Sequence, residues 1–187
     1  MKISTKTLYK KLPQIKVFNG FVNLTLAKAM FNFMLKGGGI GLAANQIGRE
    51  MRVFVMGVGK LKACFNPVVL KSSIITKTEN EGCLSFKGVF IPIDRSTEID
   101  VQYQTWDGQV IKETLKDLEA RCFLHELDHL DGITMQKRKK LNESVGTVKK
   151  EFDGEGIGSL EQIKILHREG YGSDQYTHAE RSIIGNT

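Results

Sequence analysis

Residues 116–130 read KDLEARCFLHELDHL, and no other stretch of the chain constrains the fold as tightly. Leu118, Cys122, Phe123, Leu124, Leu127 and Leu130 spread apolar side chains around nearly the whole circumference of a helix. A helix of that kind is a buried one. Yet its second half is His125-Glu126-Leu127-Asp128-His129. Two imidazoles and two carboxyls inside an apolar helix carry a large desolvation cost unless they serve each other or a metal. A spacing of four residues stacks both histidines on one face, about one turn apart, where they can share an ion. Glu126, next to the first histidine, is placed to act as general base on a metal-bound water.

Such a site needs a third ligand. Cys122 is too close in sequence: it and His129 lie seven residues apart, about 10 Å along the axis. One helix does not bring both to a single ion with bonds of about 2.0–2.3 Å. Cys122 and Cys64 read instead as small buried hydrophobes. A further histidine at position 135 would extend the motif in the metzincin manner, but that residue is Met135. His167, His178 or an acid of the tail stay open as in other zincin proteases. Cys83, in Glu81-Gly82-Cys83-Leu84-Ser85, is the attractive candidate, because Gly82 permits an unusual backbone and close approach. A thiolate there completes a Cys-His-His set with one position open, the layout of a catalytic ion. A nucleophilic Cys83 would leave the second histidine idle.

The remaining chain supplies a frame. Residues 21–36 carry Leu24 or Leu26, Ala27, Met30, Phe31 and Met34 at helical spacing, and Gly37-Gly38-Gly39 stops them. Gly39–Gln46 reads as a tight loop when taken alone, and residues 51–56 (MRVFVM) as a buried strand. Pro67 is expected to break the chain after Asn66. Residues 98–105 alternate, with Ile99, Val101 and Tyr103 on one face. Asp107-Gly108 then turns the chain into a partner strand, VIKET. The buried helix takes Thr114 or Asp117 as its N-cap, with Gly132 just past its end.

The 187 residues suit one domain with a tail. Residues 1–140 hold 22 Lys/Arg against 13 Asp/Glu, a balance of +9, and residues 141–187 hold 5 against 8, a balance of −3. Domain 1–140 is read as catalytic. Residues 141–187, with seven of the 19 glycines, are read as a loosely ordered extension in which 159–170 forms one short helix. The basic body reads as a solvated face, since no nucleic-acid motif sharpens it. Three cysteines do not make a disulfide framework, and no apolar run spans a membrane or forms a signal segment. A cytoplasmic setting follows by default. Two rivals stay open: a peptidase with its third ligand in the tail, and a basic RNA- or ribosome-binding protein with a structural ion.

Three segments, Gly39–Gln46, Glu81–Ser85 and His125–His129, stand in the order G-x-G-x-A-A-x-Q, E-G-C-x-S and H-E-x-D-H. Together they resemble the peptide deformylase family, over roughly residues 20–137. The resemblance implies an α+β fold, with antiparallel sheets enclosing the central helix that carries the H-E-x-D-H motif. It implies hydrolysis of the N-terminal formyl group of formyl-methionyl peptides and nascent chains. It assigns one divalent ion to Cys83, His125 and His129, usually Fe(II), with Zn, Ni or Co able to replace it. Glu126 would be the general base and acid. The Gln46 side-chain amide and the Leu84 backbone N–H would face the developing oxyanion. Gly41, its neighbour Ile40 and Gly82 would lie along the substrate backbone, which the family binds like an added strand. Ile40, Leu118 and Cys122 would line an apolar pocket for methionine with the edge of His125. Arg95 falls where the family has an arginine that contacts substrate backbone.

The chain departs from the family in places. Leu124 stands where Gln is usual before the first histidine, and the Pro-rich start is abbreviated. Asp100 stands where many members have the arginine that pairs with the Glu of E-G-C. Glu81 therefore needs another cation, Arg121 first and Arg95 second. The tail does not resemble the long basic helix that some members place on the ribosome, so the ribosome stays an open partner and not an implied one. An organellar or phage-borne member fits these departures as well as a bacterial one.

Overall fold

Residues 53–58 (VFVMGV) are apolar without alternation because both faces of that strand are covered. The computed structural model describes residues 1–154, and five antiparallel strands form its main sheet. In chain order these are β1 (Gly41–Ala43), β2 (Val53–Val58), β3 (Lys60–Ser72), β6 (Glu98–Gln104) and β7 (Val110–Lys116), hydrogen-bonded in that order. β4 (Thr76–Cys83) and β5 (Phe86–Ser96) make a separate antiparallel pair. Helix α1 (Gly20–Lys36) covers one face of the main sheet, and α2 (Asp117–Leu130) lies against the other. On β2, Val53 and Val55 belong to the α1 core with Ala27, Met30 and Met34. Phe54 and Met56 belong to the α2 core with Ala120, Cys122, Phe123 and Leu130. The β4–β5 pair closes over α2 from its far side, so antiparallel strands enclose the helix on both sides. The α+β class and the enclosed helix agree with the sequence expectation.

Local chemistry explains the elements. Asn19 caps α1 by accepting the N–H of Val22 at 3.1 Å. The buried face of α1 is Asn23, Ala27, Met30 and Met34. Asn23 takes the place expected of a leucine because its amide donates to the Trp106 carbonyl at 3.0 Å. Gly38, at φ +70°, supplies the left-handed turn after the helix. The β6–β7 hairpin pairs Ile99 with Leu115 and Tyr103 with Ile111, and Ile99, Val101 and Tyr103 all face α2.

Two expectations are corrected. Pro67 does not break the chain. β3 runs through it with a bulge between Phe65 and Val68, where Asn66 adopts φ +47°. The Asn66 side chain holds that bulge, accepting from Ile15 N–H at 2.8 Å and donating to the Ile15 carbonyl and Gln104, each at 2.9 Å. Neither Thr114 nor Asp117 caps α2. The strand β7 extends to Lys116, which holds the cap position without a side-chain bond, while Thr114 donates to Asp100 at 2.7 Å. Helix α3 (Met135–Gly154) runs across residue 140 and rests on β5, where Asn142 donates to the Asp94 carbonyl at 2.9 Å. The expected helix over 159–170, and His167 and His178, lie outside the described residues. Among the described residues no helix is long and apolar enough to cross a membrane.

Candidate metal centre

β4 delivers alternate side chains to α2, as a strand must. Glu81 reaches His125, and Cys83 reaches His129. The Cys83 Sγ lies 3.2 Å from His129 Nε2, and the rings of His125 and His129 stand edge to face with centroids 4.9 Å apart. The donor atoms of Cys83, His125 and His129 all lie within 4.8 Å of one another. Cys83 sits where the β4–β5 register breaks, just before the two-residue turn Leu84-Ser85. A Cβ on Gly82 would meet the Phe90 ring at 2.9 Å, so the glycine lets that ring lie close over the strand.

The surroundings fix the donors. Glu81 Oε2 accepts the His125 Nδ1–H at 2.8 Å, which turns the other ring nitrogen toward the cleft. Burial pushes the Glu81 carboxyl up, but Arg95 and His125 outweigh it and hold the group well below the usual carboxylate range. Burial also pulls His125 down, yet its bonds to Cys83 and Glu81 carry it up to about 10. His129 is pushed well below the ordinary histidine value by burial and by charge on His125. His125 is thus favoured as the imidazolium against Glu81, while its neighbour His129 is favoured as the neutral ring. An ion would have to displace that proton, so affinity rises with pH.

Glu126 is 4% exposed. Burial raises its pKa to about 7, against the opposing charge of His125. Its Oε2 is buried with no hydrogen-bond partner among the described residues, as is His129 Nδ1. A buried carboxylate oxygen left unsatisfied beside a thiol and two imidazoles fits a site built around an ion and its solvent. One sulfur and two nitrogens suit a divalent transition metal, and three ligands leave a position open.

The Gly39–Gln46 segment is no mere loop. It contains β1 and a 3-10 turn, Ala44–Ile47. A Cβ on Gly41 would fall 2.2 Å from Glu126 Oε1 and 2.7 Å from its carboxyl carbon. Gly41→Ala is expected to displace the carboxylate and lower kcat about 10²-fold, the usual effect of misplacing a catalytic group by about 1 Å. Steady-state kinetics at matched metal content checks this. Gln46 is oriented by the Ala43 N–H, donated to its Oε1 at 2.7 Å, so its Nε2 faces Cys83 Sγ at 3.3 Å and Ser85 Oγ at 3.1 Å.

Other expected residues fall as follows. Cys122 is buried and donates from Sγ to the Ile40 carbonyl at 3.4 Å, while the Ile40 side chain is 45% exposed. Leu118 is 48% exposed and opens on a cavity of about 280 Å³ shared with Lys77, Glu79, Arg95 and Arg121, so its surroundings are charged rather than apolar. Arg95 is a strand residue of β5 and not an exposed loop charge. It is 6% exposed, and its guanidinium binds Glu81 at 2.7 and 2.9 Å and Asp128 at 2.7 Å. Arg121 also reaches Glu81, at 2.8 Å. Glu81 thus takes both candidate cations, with Arg95 in the bidentate place. The sequence reading missed Asn45, whose amide donates to the His129 and Leu8 carbonyls, and Arg138, which grips Asp128. The signal for Arg138 was the charge of Asp128 inside an apolar helix, which demanded a partner.

Three donors close enough to hold one ion, beside a buried carboxyl with an unpartnered oxygen, have the composition of a hydrolytic centre rather than of a closed four-ligand structural site. Residues 1–144 match the polypeptide deformylase family. The peptide deformylase of Thermotoga neapolitana is 39% identical over 134 residues, 71% of this chain and 81% of that one. The crystal structure of the Thermotoga maritima peptide deformylase superposes with a TM-score of 0.69 at 37% identity, covering 73% of this chain and 94% of that one. A Met-Ala-Ser-bound class I type b peptide deformylase from Acinetobacter baumannii superposes with a TM-score of 0.68 at 26% identity, covering 73% and 94%. The chain belongs to the polypeptide deformylase family and is a hydrolase of that family.

Proposed function

We propose that this chain hydrolyses the N-terminal formyl group of formyl-methionyl peptides and nascent proteins, releasing formate and a free amine. The observation that carries the reading is Cys83 Sγ at 3.2 Å from His129, beside a buried Glu126 whose Oε2 has no partner among the described residues. Cys83, His125 and His129 would hold one divalent ion, with Fe(II) as the native species and Zn, Ni or Co able to take its place. When bound, the ion supplies an acidified water and a Lewis acid for the carbonyl oxygen.

The chain's own groups do the rest. Glu126 accepts the water proton at Oε2 and returns it to the departing amine nitrogen. The Gln46 Nε2, held by the Ala43 bond, donates to the oxygen that gathers charge, and the Leu84 backbone N–H assists. One such donor contributes about 3–4 kcal/mol. Ile40, Cys122 and the edge of His125 form the apolar wall for the methionine side chain, and Leu118, which opens on the charged cavity, is left out of it. Gly41 and Gly82 would lie along the backbone of an extended peptide substrate. Nascent chains are the partners, met in the cytoplasm or in an organelle with bacterial-type synthesis.

Formyl-Met-Ala is the test substrate. The metal-loaded chain is expected to release one formate per new amino terminus, and no formate from the loaded chain rejects the reading. Cys83→Ser is expected to strip the metal and the activity together. A peptidase with its third ligand elsewhere would keep its metal through that change.

A further inference from the structure

Arg138 stands in the basic run Lys137–Lys140, where a solvated face is the ordinary outcome. Lys137 and Lys140 are exposed, yet Arg138 is 7% exposed. Its guanidinium turns inward from α3 and forks onto Asp128, with Nε 2.8 Å from Oδ2 and Nη2 on Oδ1. Asp128 Oδ2 also accepts Arg95 Nη1 at 2.7 Å. Arg95 in turn grips both oxygens of Glu81, and Glu81 holds His125 Nδ1. Five buried side chains from α3, α2, β5 and β4 thus end on an imidazole of the metal set.

We propose that Arg138 is a positioning residue for the metal centre, so that the seating of α3 on the domain sets metal affinity. The inference rests on the metal reading given above. Asp128 has both oxygens engaged only while Arg138 is present. Without that fork its carboxylate is free to turn, and Arg95 loses the anchor that aims it at Glu81. Glu81 shares Oε2 between Arg95 and His125, so a slack Arg95 leaves the imidazole less firmly turned. Arg121 also holds Glu81, which keeps the effect partial. The helix that carries this residue also carries the chain beyond the family-matched segment, which ends at residue 144. A load placed on α3 would therefore be felt at the ion.

The test uses the full 187-residue chain, stripped of metal and titrated with Co(II) against a competing chelator. Arg138→Gln is expected to raise the Co(II) dissociation constant about 10-fold, the low edge of the range for residues that orient metal ligands. Arg138→Lys restores charge without the fork and falls between the two. Met30→Ala, in the core on the opposite face of the sheet, loses stability but leaves the constant unchanged. A constant within about twofold of the parent in a folded Arg138→Gln chain overturns the proposal. If that variant does not fold, the same result in Arg138→Lys overturns it, and so does an equal weakening by Met30→Ala. A parent chain that takes up no Co(II) sinks the metal reading itself. A parent that binds while the Arg138 variants match it sinks this inference alone.

Discussion

Glu126→Gln is expected to lower kcat by about 10²–10⁴, the contribution of a positioned general base and acid, while metal content stays at the parent level. Glutamine matches the volume of a side chain packed against Gly41, so the cleft keeps its shape. The neutral amide cannot take the proton that the free Oε2 is placed to receive. Stability gives a second readout with the opposite sign. In the metal-free chain the Glu126 pKa is raised from 4.5 to about 7, chiefly by burial. A carboxyl raised in the folded state disfavours folding progressively as pH climbs from about 4.5 to 7, because the folded state must then bear its charge. The metal-free variant therefore unfolds at the same temperature as the parent at low pH and at a higher temperature at pH 8. A loss in kcat below about 10-fold would remove Glu126 from the proton path.

Arg95→Leu is expected to cost about 3–5 kcal/mol, the effect of removing one partner from a buried ion pair. For a chain of this size that corresponds to a melting temperature lower by about 6–20 °C. The guanidinium binds two carboxylates, Glu81 and Asp128, whose side chains are both almost fully buried. Leucine leaves both short of charge and of donors. Burial would raise the Asp128 pKa, but Arg138 and Arg95 outweigh it and hold the group at about 2, against an ordinary 3.8. Glu81 is held lower still. A depressed carboxylate pKa contributes stability that is present above about pH 4 and lost as pH falls through the folded value. The deficit of the variant is therefore largest near neutrality and shrinks between about pH 4 and 2. Thermal melts across that range measure it. The sequence reading would have Arg95 touch substrate backbone; that requires a raised KM with an unchanged melting temperature.

What the amino-acid order determined by itself is local and periodic. The α1 stripe, the alternation of β6 and the histidines four apart follow from helix and strand repeats that any residue list exposes. The α+β class was legible only through the resemblance carried by Gly39–Gln46, Glu81–Ser85 and His125–His129, because periodicity says that a helix is buried but not what covers it. Gly37 to Gly39, Gly108 and Gly132 announced their turns through backbone freedom that side chains forbid. Cys83 was legible as a ligand candidate only by elimination and resemblance, since nothing local ties it to histidines more than 40 residues away.

Tertiary structure alone decided which charges are buried and what they face. Arg95 and Arg138 look in sequence like a loop charge and one lysine-run neighbour among four. Each is almost fully covered, because β5 and α3 close over Asp128 and Glu81. Gly41 reads as a bare stretch of backbone, yet its lack of a Cβ is what admits the Glu126 carboxyl from another element. Helix and strand periods are set within a few residues. The cost of an unpaired buried charge is settled only when segments distant in the chain meet, so the partners of Glu81, Asp128 and Glu126 had to wait for the fold.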